Sequence, residues 1–266
     1  SADFGGRAPL PNLIIEENDA SEGAPTRETV QVANSQTVES EVFLQGTFIE
    51  LGVSAAGTLG TLAKAPNGFH TSFSDGRISA VLDLDSFGAG QDSGSTRSGD
   101  FTLPGIPIES YTIGYRDTEA GDPVLIHQNG AAGLNALNSV TVDNSFGNVL
   151  STVTSGGAGN ISMIRDISFD ADQLSYAVTL IVTNISGSEI FDVRYLHNMD
   201  IDVDSDLFGN VQTQNDVLLN TGSDSSDKIA LARAVGPESG LQLNLIGIGT
   251  EYRVSNFGLN NVSPYD

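Results

Sequence analysis

Cysteine and tryptophan are absent from this 266-residue chain, and lysine occurs only at Lys64 and Lys228. Without cysteine there is no disulfide, no thiolate zinc site and no cysteine nucleophile. A protein working outside the cell must then gain rigidity by other means, and bound metal ions are one route. The lack of Trp, with only six Tyr, argues against an aromatic platform for stacking sugars. No apolar run nears the roughly 18 residues of a membrane span, so no transmembrane segment is expected. Ser1 opens no signal peptide, which fits a mature chain or one not exported by a cleaved N-terminal signal.

Signatures of catalysis are also missing. The sequence contains no G-x-S-x-G elbow, no H-E-x-x-H and no P-loop. His70, His127 and His197 stand far apart. Carboxylate pairs suited to glycoside hydrolysis arise by chance among 34 acidic residues. A lyase-like set of His127, Tyr115 and Arg116 can be assembled on paper, but the chain is not expected to be an enzyme.

What the chain has in abundance is negative charge, with a net −23. Such a surface repels nucleic acid and anionic membrane, which excludes nucleic acid as a partner. It suits either solubility in a salty medium or a fold that divalent cations must neutralise. Thirty glycines and a modest apolar fraction of 39% point to a turn-rich globular protein.

The apolar pattern is that of strands. Val30 and Val32 alternate with polar neighbours, and Glu41–Gly52 is β-rich with Gly46 marking a bulge or bend. Turn dipeptides at Asn67-Gly68, Asp75-Gly76, Pro104-Gly105, Asn129-Gly130 and Ser186-Gly187 separate alternating runs such as Ile78–Leu84 and Tyr111–Tyr115. Tyr176, Val178, Leu180 and Val182 share one face of a strand, with Ala177, Thr179, Ile181 and Thr183 on the other. Asn184–Ser188 then reads as the turn of a hairpin returning through Phe191, Val193 and Tyr195. A second antiparallel pair is expected over Leu241–Gly249 and Tyr252–Phe257. These signals predict an all-β antiparallel sandwich of two packed subdomains, 29–150 and 151–266, with the Gly/Ser stretch Ser155–Gly159 between layers or domains. Residues 1–28, rich in Gly and Pro around Leu13-Ile14-Ile15, form an extended N-terminal arm. That arm lies along its own domain or adds a strand to a neighbouring copy.

Asp200, Asp202, Asp204 and Asp206 place a carboxylate at every second position. In an extended chain these share a face about 7 Å apart and repel one another unless neutralised. Calcium, with six to eight oxygen ligands in flexible geometry, is the natural counter-ion, with Asn210 or Asp216 completing the set. The spacing follows the first half of an EF-hand loop. However, Ser205 stands where that loop needs Gly and Val211 where it needs Glu, so an EF-hand is rejected. The competing reading runs the strand on to Val203, with the aspartates lining its solvent face beside Asp192 and Arg194 and with His197 pointing inward. Gly88-x-Gly90-x-Asp92, after Asp83 and Asp85, matches part of one calcium-binding nonapeptide without a second copy. Ser223–Asp227 reads as a solvated loop.

Val42–Thr61 with Gly68-Phe69-His70, Gly99–Ile106 and Val182–Asp204 resemble, in texture and order, modules of large secreted bacterial surface proteins of the hemolysin-type calcium-binding and adhesin-like kind. The resemblance implies a β-sandwich displayed at a bacterial cell surface with adhesive, matrix or surface-layer duties. Joined to the residue pattern, it leads to an expected function: an extracellular, calcium-stabilised structural or adhesive protein that self-associates, through the arm, into a filament or layer. The rival expectation is a calcium-dependent carbohydrate-binding module or polysaccharide-active enzyme, with a glycan as partner.

Overall fold

The computed structural model describes residues 34–70, 75–83, 98–102, 109–128, 137–209, 212–220, 229–248 and 262–265. The chain divides into two units, Ser1–Val30 and Gln31–Asp266, and all described residues belong to the second. The N-terminal arm therefore lies outside the described residues.

The protein is all-β, and every strand pairing among the described residues is antiparallel. Sheet I runs in chain order through β1 (Asn34–Val38), β2 (Glu41–Gln45), β3 (Ile49–Val53), β4 (Ala80–Asp83) and β5 (Ser98–Asp100). Sheet II begins with β6 (Glu109–Arg116) and β7 (Pro123–Gln128). Sheet III is a meander of β8 (Asn138–Asp143), β9 (Val149–Ala158), β10 (Ile161–Asp170) and β11 (Ala177–Asn184). The chain then returns to sheet II, where β12 (Phe191–Met199) pairs with β6. A single helical turn, α1 (Ser205–Phe208), leads to sheet IV, built from β13 (Gln214–Asn220), β14 (Ile229–Val235) and β15 (Gln242–Ile248). Sheets II and III each take strands from both sides of residue 150.

Alternation explains the layering. On β10, Ile161, Met163, Arg165, Ile167 and Phe169 are all buried while their neighbours are not, so one face looks into the core. Ile167 and Phe169 pack with Val42, Leu44, Leu51 and Val53 of sheet I. Ile161 and Met163, farther along the same face, pack with Tyr111, Ile113 and Tyr115 of sheet II. Sheet III is thus one layer of a sandwich whose other layer is two sheets side by side, and Arg165 sits where they abut.

Within sheet I both faces of β2 and β3 are buried, the carboxylates Glu41 and Glu50 included. Its far face carries Phe43 and Val81 and is covered by Phe69 and Ile78 of the connection between β3 and β4. Phe101, Val203 and Ala234 form a smaller cluster beside sheet IV.

Three local expectations are corrected. Gly46 neither bulges nor bends one strand; it turns the chain between β2 and β3, donating to Ile49 O at 2.9 Å. Ser155–Ala158 does not separate layers but ends β9, and Gly159, at φ +57°, makes the tight turn into β10. The run after Asn184 is not the return of a hairpin. β11 pairs with β10 and β12 pairs with β6, so 185–190 carries the chain from one layer to the other. Ile185 N bonds to Asn160 O, and the Asn184 side chain caps Ser186 N, which together turn the chain out of sheet III. Of the later pair, β15 is present, and Tyr252–Phe257 lies outside the described residues.

Candidate functional site

Ionisable side chains gather at several places among the described residues, and only the Asp200–Asp206 run was legible as a motif. The first is the seam around Arg165. Its guanidinium is fully buried and donates through Nη2 to Glu109 Oε1 and through Nη1 to Gly57 O. Glu109 opens β6, and its other oxygen accepts the backbone N–H of Leu59. His197, on β12, brings Nε2 to the same Glu109 oxygen that Arg165 holds. The Tyr111 ring lies 5.2 Å from the guanidinium carbon, and its hydroxyl donates to Ala56 O at 3.0 Å. Gly57 is required here: at φ +79° its Cα passes so close to Thr154 that any Cβ would collide with that side chain.

Burial alone would raise the Glu109 carboxyl, but the charge of Arg165 and the contact with His197 pull it down to about 2. Burial would lower Arg165, and the Glu109 charge reverses that, so its pKa is raised. Tyr111 is pushed upward, chiefly by burial. Both Glu109 oxygens are engaged, and the pair joins three parts of the fold: sheet II, sheet III and the 54–59 turn after sheet I.

The Asp200–Asp206 segment is the second place. β12 stops at Met199, so the aspartates do not continue a strand face to Val203. Instead Asp202 N is held by Phe101 O at 2.8 Å, Val203 is buried against Phe101 and Ala234, and α1 follows. The carboxylates then diverge in role. Asp204 is fully buried, accepting Glu238 N at 2.7 Å and Ser239 N at 3.3 Å. It lies so close to Gly236 that a Cβ there would overlap it. Asp206 accepts the N–H of Asp100 on β5 at 2.9 Å.

Asp200 and Asp202 are half-buried, and among the described residues neither carboxylate accepts a hydrogen bond. Burial raises both; Asp202, with the Asp200 charge adding to it, reaches about 6. Among the described residues no group of three or more His, Asp or Glu side chains is arranged to hold a metal ion. Asn210 lies outside the described residues. Asp216 is bound to Arg233 at 2.7 Å.

The remaining sequence candidates are dispersed. His127 faces Thr112 across β6 and β7, with Nδ1 and Oγ1 2.9 Å apart. Tyr115 accepts Asn160 N, and Arg116 binds Gly121 O. Tyr115 and Arg116 are consecutive on β6 and so point to opposite faces, which leaves no shared lyase-like site. His70, instead of meeting the other histidines, meets Glu50 at 2.9 Å. Asp83 ends β4, while Asp85, Gly88-x-Gly90-x-Asp92 and Ser223–Asp227 lie outside the described residues.

A common device emerges from these contacts. Glu41 accepts the N–H groups of Leu62 and Ala63, Glu50 that of His70, and Asp100 those of Ser79 and Thr102. With Glu109, Asp204 and Asp206, six carboxylates clasp backbone amides of other segments. The sequence offers no signal for this, because the partners are amides distant along the chain. No known protein family, curated protein or solved structure matches the chain.

Proposed function

We propose that this is a non-catalytic structural or adhesive protein of a bacterial exterior, stabilised by calcium at Asp200 and Asp202 and able to associate with copies of itself. The observation that carries the reading is the contrast between these two aspartates and the other buried carboxylates. Six carboxylates are neutralised or solvated by Arg165 and by backbone amides, whereas Asp200 and Asp202 repel each other without a described donor. A divalent cation removes that repulsion, and calcium tolerates an incomplete protein shell finished by water and carbonyl oxygen. Calcium affinity grows with ligand charge, so two carboxylates suit the ~10⁻⁴–10⁻³ M range of extracellular modules rather than that of cytosolic sensors.

Elsewhere the groups that do chemistry in enzymes act as fasteners. Glu109 binds both Arg165 and His197 at the seam, and Asp204 holds a loop. A chain without disulfides gains from such clasps the rigidity that an exposed structural protein needs. The test is thermal unfolding in millimolar calcium and then in chelator. A rise in Tm with calcium, lost in an Asp200→Asn/Asp202→Asn variant, is the expected result. An identical Tm in both buffers removes calcium from the account.

A further inference from the structure

Edge strands with free backbone groups invite pairing with another chain, and proteins protect them with charge, proline, bulges or brevity. Most described edges here carry such a device. β1 has five residues and β5 three. β7 begins at Pro123, and β12 carries Asp192 and Arg194 at a register shift. β8 ends in Asp143, and β13 holds Asp216 and a second register shift. β11 has none. Its eight residues, AVTLIVTN, include no charge, proline or glycine, and its register with β10 is unbroken.

We infer that β11 is the surface through which two copies of this chain join, antiparallel, about a two-fold axis at Leu180. This rests on the self-association reading above and names its surface. Opposed residues of an antiparallel pair share a face, so the mate must keep core-facing residues together. About Leu180, Val178 meets Val182 and Leu180 meets Leu180 on the half-buried side, while Thr179 meets Ile181 and Ala177 meets Thr183 outside. A shift of one residue opposes Leu180 to Ile181 and mixes the faces. Centring on Ile181 keeps the faces but sets Asn184 against Val178. Centring on Thr179 also keeps the faces but pairs only 177–181 within the strand, so Leu180 is the centre that pairs most of β11 without a mismatch, as a two-fold contact requires.

Charge selects the occupant. A chain at net −23 repels its copies over most of its surface, so contact favours a strip without carboxylates. The nearest acids along the chain, Asp172 and Glu189, lie five residues beyond either end of β11. On the outer face Asp166 of β10 stands opposite Thr179. In the joined sheet it is three strand spacings, about 14 Å, from the mate's β10, beyond the ~8 Å screening length at physiological salt. Ile181, 53% exposed at the edge itself, gains cover in the same step. Two four-stranded sheets become one continuous sheet.

The experiment uses the full chain. Sedimentation is measured from micromolar to millimolar concentration for the native protein and for Thr179→Lys and Ile181→Lys, whose side chains point to solvent, with near-UV circular dichroism as the folding control. Hydrogen exchange is followed at both ends of the concentration range. The expected results are a concentration-dependent native dimer, protection gained at 177–184 on association, and monomeric, folded Lys variants. In this cysteine-free background, Thr179→Cys/Ile181→Cys should oxidise to a covalent dimer. Association that persists in the Lys variants, or protection gained elsewhere with 177–184 unchanged, overturns β11 as the surface and leaves self-association standing. A native protein monomeric throughout overturns both.

Discussion

Arg165 Nη2 donates to Glu109 Oε1 across the line where sheets I and II meet over sheet III, and both side chains are fully buried there. A charge in that position has no water to solvate it, so each partner is the condition for the other's ionisation. The pair also reaches the backbone at Gly57 and Leu59, which fixes the 54–59 turn against the seam. Removing one member exposes the other to the full cost of an unpaired buried charge.

Arg165→Met or Glu109→Gln should each cost ~3–5 kcal/mol, the usual loss when one member of a buried pair is removed. The double variant should cost clearly less than the sum, because no isolated charge remains. Urea unfolding of the four proteins measures this. Additivity within ~0.5 kcal/mol would show that the two residues are not coupled.

Acid should find the same site. The Glu109 carboxyl is depressed to about 2 from an ordinary 4.5, so the folded state holds this proton more weakly than the unfolded chain does. Its contribution is therefore present above pH 4.5 and is lost as the pH falls through 4.5 toward 2. The shift corresponds to about 3 kcal/mol. Unfolding free energy measured across this window should fall steeply for the native protein and more gently for Glu109→Gln. Parallel curves would remove Glu109 from the acid response.

Asp204 offers a test of the carboxylate clasp away from any cation. Asn keeps one oxygen for Glu238 N or Ser239 N but turns an N–H₂ toward the other donor. Asp204→Asn should cost ~1–3 kcal/mol, the range for a buried donor left unsatisfied. Amide exchange should accelerate at Glu238 and Ser239, with the hydrogen bonds between β9 and β10 unaffected. Unchanged exchange at both amides would mean the carboxylate does not hold the loop.

These residues also show what could be read from the chain alone. The period-two alternation of β11, and the β-rich run that became β2 and β3, made strands and an antiparallel sandwich legible, since burial is written directly into a strand's pattern. Which strand pairs with which was not written there. β11 and β12 are adjacent in sequence yet belong to opposite layers, because the Asn184 cap and the Ile185–Asn160 bond turn the chain away. The Asp-x-Asp-x-Asp-x-Asp spacing was visible, but spacing cannot distinguish a carboxylate that holds an amide, such as Asp204, from one without a described partner, such as Asp202. Glu109 and Arg165 were invisible for a related reason. They lie 56 residues apart, and each resembles any other charged residue in a strand.

Asp202 should respond to pH with the opposite sign from Glu109. Its carboxyl is raised by burial and by Asp200 from 3.8 to about 6, so the folded state favours the proton. The fold gains from that proton below pH 3.8 and loses the gain as the pH rises through 6. A cation at the pair competes with the proton. Calcium should therefore raise Tm at pH 7.5, where Asp202 is ionised, and do little at pH 4.5. Site saturation at one hundred times Kd corresponds to ~2.7 kcal/mol of added stability. Asp202→Asn should raise the calcium-free Tm at pH 7.5 by removing the repulsion, and should abolish the response to calcium. A calcium effect equal at both pH values, or undiminished in Asp202→Asn, would place the ion elsewhere on the acidic surface.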